Sequence, residues 1–248
     1  MTGDAPVLLA AREVSKSFGS LKAVDRVSLE VRRGEVFGLA GPNGAGKSTL
    51  FNLLTGIPIR PDSGQVVFDG REIQNRSPRL IAKAGLKRTF QTEAVFDSLS
   101  VMENLRVSSA YGGAGRAVRP DPARCREALD VVELGGDPER PADGLSLIDR
   151  KRLMIACALV SRPALLLLDE PAAGLDPADQ DALIRLLGRI AGSGVTMVII
   201  EHVLSVLEAL AGRMAVLDSG RIIATGVPAE VLSDPKVVEA YLGPGAAR

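Results

Sequence analysis

The sequence predicts an α/β protein: a parallel-sheet core, an antiparallel β layer beside it, and a helical insertion. Three observations carry that prediction. A glycine-rich loop, Gly41-Pro-Asn-Gly-Ala-Gly-Lys-Ser-Thr49, directly follows the apolar run Val36–Ala40. A second apolar run, Ala-Leu-Leu-Leu-Leu at 164–168, ends in Asp169-Glu170. Strand-like and helix-like stretches alternate around these two, which is the pattern of a parallel sheet.

Taken in sequence order, residues 27–31 alternate apolar and polar, as a half-exposed antiparallel strand does. Residues 36–40 read as a buried strand feeding the glycine loop, and Leu50, Leu53 and Leu54 make a helical stripe behind it. Residues 66–69 and 71–73 flank Asp69-Gly70, a hairpin-type turn, and complete the antiparallel layer. Residues 92–159 differ in character. There, 123–132 and 151–159 read as helices and little reads as strand. The expectation is one domain: a nucleotide-binding core with its β layer at about 1–91 and 160–248, and a helical subdomain at about 92–159. Tyr111-Gly-Gly-Ala-Gly115 reads as a surface loop inside that subdomain. Asp176-Pro177 is an N-cap followed by proline at the first helical position, and Leu183, Leu186, Leu187 and Ile190 follow at helical spacing. Residues 195–200 and 214–217 read as further apolar strands, and 243–248 as a frayed tail.

Bulk composition narrows the function classes. The protein has 248 residues, 46% of them hydrophobic, enough for a sizeable core. A net charge of +0 gives no electrostatic footprint for nucleic acid. The 2 cysteines, Cys125 and Cys157, stand in no metal or redox spacing and read as packing residues of a reduced, cytosolic protein. No signal peptide is visible, and no apolar stretch approaches the ~18–20 residues that span a bilayer. Work at a membrane would therefore draw its spanning part from another polypeptide.

The chemistry sits in the two motifs. Gly41, Pro42, Asn43, Gly44, Ala45, Gly46, Lys47, Ser48 and Thr49 fit G-x-x-x-x-G-K-[ST], a phosphate cradle. Backbone N–H groups surround the polyphosphate, and glycine lets the backbone approach it. Lys47 reaches the β- and γ-phosphates, the Ser48 hydroxyl holds Mg²⁺, and the following helix points its N-terminus at the anion. Asp169, at the end of a buried strand, falls near Mg²⁺, and Glu170 near an attacking water. Together the motifs predict hydrolysis of a nucleoside triphosphate. From the residues alone other readings stay open. Glu170 also suits a turn before Pro171, Phe18 a core position, and His202, the single histidine, a structural one; Gln91 alone carries no signal.

The order of elements bears on these readings. Phe18, the glycine loop, Gln91 at the end of Lys87-Arg-Thr-Phe-Gln91, Leu145-Ser146, Asp169-Glu170, Gly174-Leu-Asp176 and His202 resemble ATP-binding-cassette ATPases over nearly the whole sequence. Residues 85–104, Gly220-Arg-Ile-Ile-Ala-Thr-Gly226 and Glu230-Val-Leu232 are similar to the ATPase subunits of branched-chain and hydrophobic amino-acid importers. The resemblance implies a P-loop NTPase (RecA-like) core, with ATP and Mg²⁺ as ligands. It implies that Phe18 stacks on adenine and that Lys47, Ser48 and Thr49 contact phosphate and Mg²⁺. By the same resemblance Asp169 matches the Mg²⁺-linked carboxylate, Glu170 the general base and His202 the switch at the γ-phosphate. Gln91 matches the glutamine that touches Mg²⁺ or water and senses the membrane partner, and Ser146 and Asp176 match residues that act across a dimer. The implied partners are multi-spanning permease subunits, a second ATPase and, indirectly, a solute-binding protein. The implied location is the cytoplasmic face of the cell membrane, as a peripheral protein.

One segment departs from the family. Its signature is Leu-Ser-Gly-Gly-Gln or a relative; here Leu145-Ser146-Leu147-Ile148-Asp149 stands in its place. Ile148 puts a branched side chain where little room is expected, and Asp149 brings negative charge towards a polyphosphate unless it points away. The expectation is weak action on the partner's nucleotide, and hence a heterodimer with a paralogous ATPase rather than a homodimer. The competing hypotheses are a soluble cassette ATPase acting on nucleic acid or a protein assembly, and a poorly hydrolysing regulator.

Overall fold

A computed structural model describes residues 5–89, 95–111 and 121–243, with Tyr111 described by its backbone only. Gln91, residues 112–115 of the predicted surface loop and the end of the predicted tail lie outside the described residues.

The protein builds two sheets. The first comprises β1 (Val7–Phe18), β2 (Leu21–Arg32), β4 (Ser63–Phe68) and β5 (Arg71–Glu72), all antiparallel, in the order β2-β1-β4-β5. The second comprises β3 (Val36–Ala40), β6 (Leu86–Arg88), β7 (Leu165–Asp169), β8 (Thr196–Ile200), β9 (Arg213–Asp218) and β10 (Arg221–Gly226), in the order β10-β9-β3-β8-β7-β6. Its pairings are parallel except that β10 runs antiparallel on the β9 edge.

The apolar strands are explained by burial on both faces. Leu165 and Leu167 face a core shared with the antiparallel sheet, which includes Leu9, Phe37, Leu39 and Phe51. Leu166 and Leu168 face the opposite core with Leu183, Leu187, Ile199 and Val206. Each fully buried leucine is worth about 1.5–3 kcal/mol of transfer free energy, so a run with no polar face is stable only there. Thr196 interrupts the apolar pattern of β8, and its buried hydroxyl accepts the Gly34 N–H at 2.9 Å. Register fixes the ends of β7 and β8: Asp169 pairs with Ile200, as Leu39 of β3 also does.

Nine helices complete the described residues. On the core lie α1 (Lys47–Thr55), α2 (Pro78–Lys83), α6 (Pro177–Gly192), α7 (Leu204–Leu210), α8 (Pro228–Leu232) and α9 (Pro235–Leu242). Helices α3 (Val101–Tyr111), α4 (Pro122–Val131) and α5 (Leu147–Leu159) form the helical part and bury Leu105, Leu129 and Leu153 in common. The predicted caps and stripes appear where expected: the Asp176 carboxylate accepts the Asp179 N–H at 2.8 Å, and Leu183, Leu186, Leu187 and Ile190 of α6 are buried.

Three differences from the sequence reading stand out. Tyr111, expected to open a surface loop, is instead the last residue of α3. Helix α5 starts at Leu147, four residues before position 151, because the Ser146 hydroxyl caps it by accepting the Asp149 N–H at 3.2 Å. Strand β1 escaped the pattern because its pairing with β2 shifts register at several points, which breaks the alternation. Among the described residues no helix is long and apolar enough to cross a membrane.

Candidate active site

The glycine loop leaves β3 at the centre of the parallel sheet and enters α1. Gly41 has φ 148, and a Cβ there would run into the Leu217 carbonyl oxygen. Gly46 has φ 103, and a Cβ there would meet the Ala23 carbonyl oxygen. These two positions are closed to any side chain by backbone on the far side of the loop. Gly46 is also the N-cap of α1 and offers no side-chain cap, so the first helical N–H groups are left for an anion.

The loop forms one wall of a cleft of about 830 Å³. Asn43, Gly44, Ala45, Gly46, Lys47, Ser48 and Thr49 line it, with Phe18, Glu170 and His202 facing them. Lys47 is buried, and its Nζ donates to the carbonyls of Gly41 at 2.6 Å and Pro42 at 2.9 Å. Burial pulls the Lys47 ammonium below its ordinary pKa, while the carboxylates of Glu170 and Asp169 act in the opposite sense. Phe18 ends β1 at the mouth of the cleft. Its ring is 48% exposed and lies under the Lys16 ammonium at 5.7 Å, so it is not a core residue.

Strands β7 and β8 deliver the acid and the histidine. Glu170 is 7% exposed and adopts φ 49, an uncommon conformation for a residue that precedes proline. Its backbone N–H is fixed to Ile200 O at 3.0 Å, and its Oε1 lies 2.6 Å from His202 Nε2. Asp169 sits one residue deeper, 3% exposed. Arg88 of β6 donates to Asp169 Oδ2 at 2.6 Å and to Asn52 Oδ1 of α1 at 2.6 Å. Asp169 Oδ1 is buried and accepts no hydrogen bond among the described residues. A buried carboxylate oxygen with no donor suits a hard cation; Asp169 itself lines a separate small cavity with Thr89, Lys151 and Pro171, while the Ser48 hydroxyl, an oxygen ligand of the kind Mg²⁺ takes, lines the cleft.

Sequence reasoning missed Glu201. It is 1% exposed and directly follows the last residue of β8. Its carboxylate accepts the Ala172 N–H at 2.6 Å and the His202 N–H at 3.1 Å, tying the segment after Glu170 to the one that carries His202. Burial pushes the Glu201 carboxyl above the usual carboxylate range, with the amide donors and then the Glu170 charge as lesser influences. The Arg88 contact was missed as well, although Arg88 lies within the 87–91 motif. The turn at Ser219-Gly220 also lines the cleft and is pinned to the loop, Gly220 N–H donating to Ala45 O at 2.9 Å.

Of the predicted site residues, Gly41, Pro42 and Asp169 stand behind the cleft lining, and Ser146 and Asp176 do not line this cleft either. Both serve as helix caps, on α5 and α6. Gly174 lies against Leu147, so the two segments adjoin. The departures at 148 and 149 take a different form from the one expected. Ile148 is 8% exposed and packs into the core of the helical part. The Asp149 carboxylate is held by Arg140 at 3.3 Å and Arg152 at 3.5 Å, so its charge is compensated within the molecule.

Comparisons with known proteins cover nearly the whole sequence. Residues 24–173 match the family model described as ABC transporter, and 221–244 match one described as Branched-chain amino acid ATP-binding cassette transporter. The sequence is 37% identical over 250 residues to the high-affinity branched-chain amino acid transport ATP-binding protein LivG of Salmonella typhimurium, covering 95% of this protein and 98% of that one. It is 34% identical over 253 residues to BraF of Pseudomonas aeruginosa, with 95% and 98% covered. The solved ADP conformation of MJ1267, an ATP-binding cassette of an ABC transporter, superposes with a TM-score of 0.88 at 33% identity, covering 96% of this protein and 100% of that one.

Proposed function

The protein belongs to the ABC transporter ATP-binding family, and from that membership we propose that it energises an importer of branched-chain or related amino acids or amides. The observation that carries the reading is the Glu170–His202 contact facing the phosphate loop across one cleft. In this reading Phe18 stacks on the base. Loop amides and Lys47 hold the phosphates, and Glu170 takes the proton of the attacking water. His202 orients Glu170 and meets the γ-phosphate. Gln91 couples the site to the membrane partner. Asp169 and Ser48 would hold Mg²⁺, which supplies charge neutralisation at the transferring phosphoryl group.

Family resemblance makes the working unit a pair of cassettes, each completed by the other's signature segment. With Ile148 committed to the core and Asp149 to Arg140 and Arg152, residues 145–149 present mainly Ser146 and the α5 N-terminus to a partner. That supports a heterodimer with a paralogous ATPase whose regular signature completes the site described here. The names of LivG and BraF support branched-chain amino acids as the solute class. The assembly sits on the cytoplasmic face of the membrane, held there by multi-spanning subunits and supplied by a solute-binding protein.

The test is affinity capture of the full-length protein from detergent-solubilised native membranes, followed by turnover measurement. Multi-spanning partners and a second cassette with a regular signature are expected, with ATP hydrolysis lost on Glu170→Gln and nucleotide binding retained. Recovery only from the soluble fraction, or unchanged turnover in Glu170→Gln, would overturn the reading.

A further inference from the structure

The phosphate loop is fixed at its entry by a residue that lies outside the cleft. The Gly41 N–H donates to the Tyr241 hydroxyl oxygen at 2.7 Å, across 200 positions of sequence. Gly41 is buried, and the Leu217 carbonyl blocks its other side. Without the Tyr241 hydroxyl this amide would be a buried donor that has lost its acceptor, which costs more than an ordinary hydrogen bond is worth. Tyr241 lies in the last turn of α9 and does not line the cleft. It is half-buried and packs against the core that also takes Val237. The helix is seated by Asp234, whose carboxylate accepts the Lys236 N–H at 2.8 Å, and by Pro235 at its first position. Burial raises the Tyr241 phenol above its ordinary pKa, so the hydroxyl stays neutral.

We propose that Tyr241 is a positioning residue: its hydroxyl holds the first glycine of the phosphate loop from behind, so that the cradle keeps its shape without nucleotide. The inference rests on the nucleotide-binding reading of the cleft. Phosphate affinity depends on several amides converging on one anion, and a loop that relaxes must be reordered at the expense of binding. Tyr241 also falls within 221–244, the segment that matches the branched-chain amino acid transporter family model. The part of the sequence that marks its subfamily is thereby wired to the phosphate site.

The experiment is titration of the full-length protein with a fluorescent ATP analogue and Mg²⁺, alongside thermal unfolding without nucleotide. Tyr241→Phe keeps the ring and removes only the acceptor. Val132→Ala opens the core of the helical part, far along the sequence from the loop, and controls for general loss of stability. Lys47→Ala controls for binding in the cleft. The expected result is about 3- to 10-fold weaker binding in Tyr241→Phe, the effect of losing one hydrogen bond, with wild-type affinity in Val132→Ala. Where turnover is followed, KM for ATP rises by a larger factor than kcat falls. Wild-type affinity in Tyr241→Phe, or equal weakening in Val132→Ala, would overturn the proposal. Binding by wild type that Lys47→Ala leaves intact would instead sink the cleft assignment, and this inference with it.

Discussion

His202 Nε2 and Glu170 Oε1 lie 2.6 Å apart, joining the ends of two adjacent strands at the wall of the cleft. The contact aims the carboxylate while the backbone beneath it holds an uncommon φ of 49. His202→Ala should leave nucleotide affinity within about threefold and lower hydrolysis roughly 10²-fold, since small misplacement of a catalytic group has effects of that size. Phosphate release at saturating ATP measures it. A rise in turnover would show instead that the imidazole restrains the acid.

Arg88 and Asp169 are 7% and 3% exposed, a buried pair in which one partner cannot be removed cheaply. Arg88→Met should lower unfolding stability by about 3–5 kcal/mol, because Asp169 Oδ2 is left without its cation. The double variant Arg88→Met/Asp169→Asn should recover part of that loss. Urea denaturation of Arg88→Met, Asp169→Asn and the double variant decides it, and additive effects would contradict the coupling.

Glu201 gives the fold a pH dependence of defined sign. Its folded pKa is raised by burial, so as pH climbs the unfolded state releases this proton first. Its contribution is fully present below the ordinary carboxylate value and is lost as pH rises through the folded value. As pH rises above the ordinary carboxylate value, the melting temperature of the wild type should therefore fall relative to Glu201→Gln, which cannot ionise. Parallel pH dependences of the two melting temperatures would show that ionisation of Glu201 does not weaken the fold.

Ile148→Gly restores the family residue but removes a buried side chain from α5. It should cost about 3–5 kcal/mol, combining the loss of a core side chain with the helix penalty of glycine. Thermal unfolding measures this directly. Unchanged stability would mean that the isoleucine adds nothing to the core in which it lies.

Most of the framework was legible because it follows from local rules. Strands buried on both faces read as unbroken apolar runs, and Asp176-Pro177 announces α6 through cap chemistry alone. The glycine loop needs no long-range information either, since its pattern encodes its own turn. Elsewhere the deciding contacts lie far apart in sequence. Arg88 meets Asp169 across 81 positions, and nothing at residue 88 marks that partner. Glu201 is a carboxylate at the end of a strand until Ala172 is folded against it. The side chain of Ile148 was expected to crowd the phosphate face of α5. Placing the helix start at 151 rather than 147 hid which face that residue occupies.

The pairing of Asp169 with Ile200 has a metric consequence. Strand pairing counts peptide units, so the ladder acts as a ruler for everything mounted at its end. Deleting one residue within Leu165–Asp169 would retract the acidic pair by about 3.3 Å and turn each side chain to the opposite face. No rotamer change repairs an error of that kind. An insertion or deletion inside the ladder therefore displaces the acidic pair where one outside it need not, and the spacing of acid, histidine and phosphate loop is set by counting residues rather than by packing them.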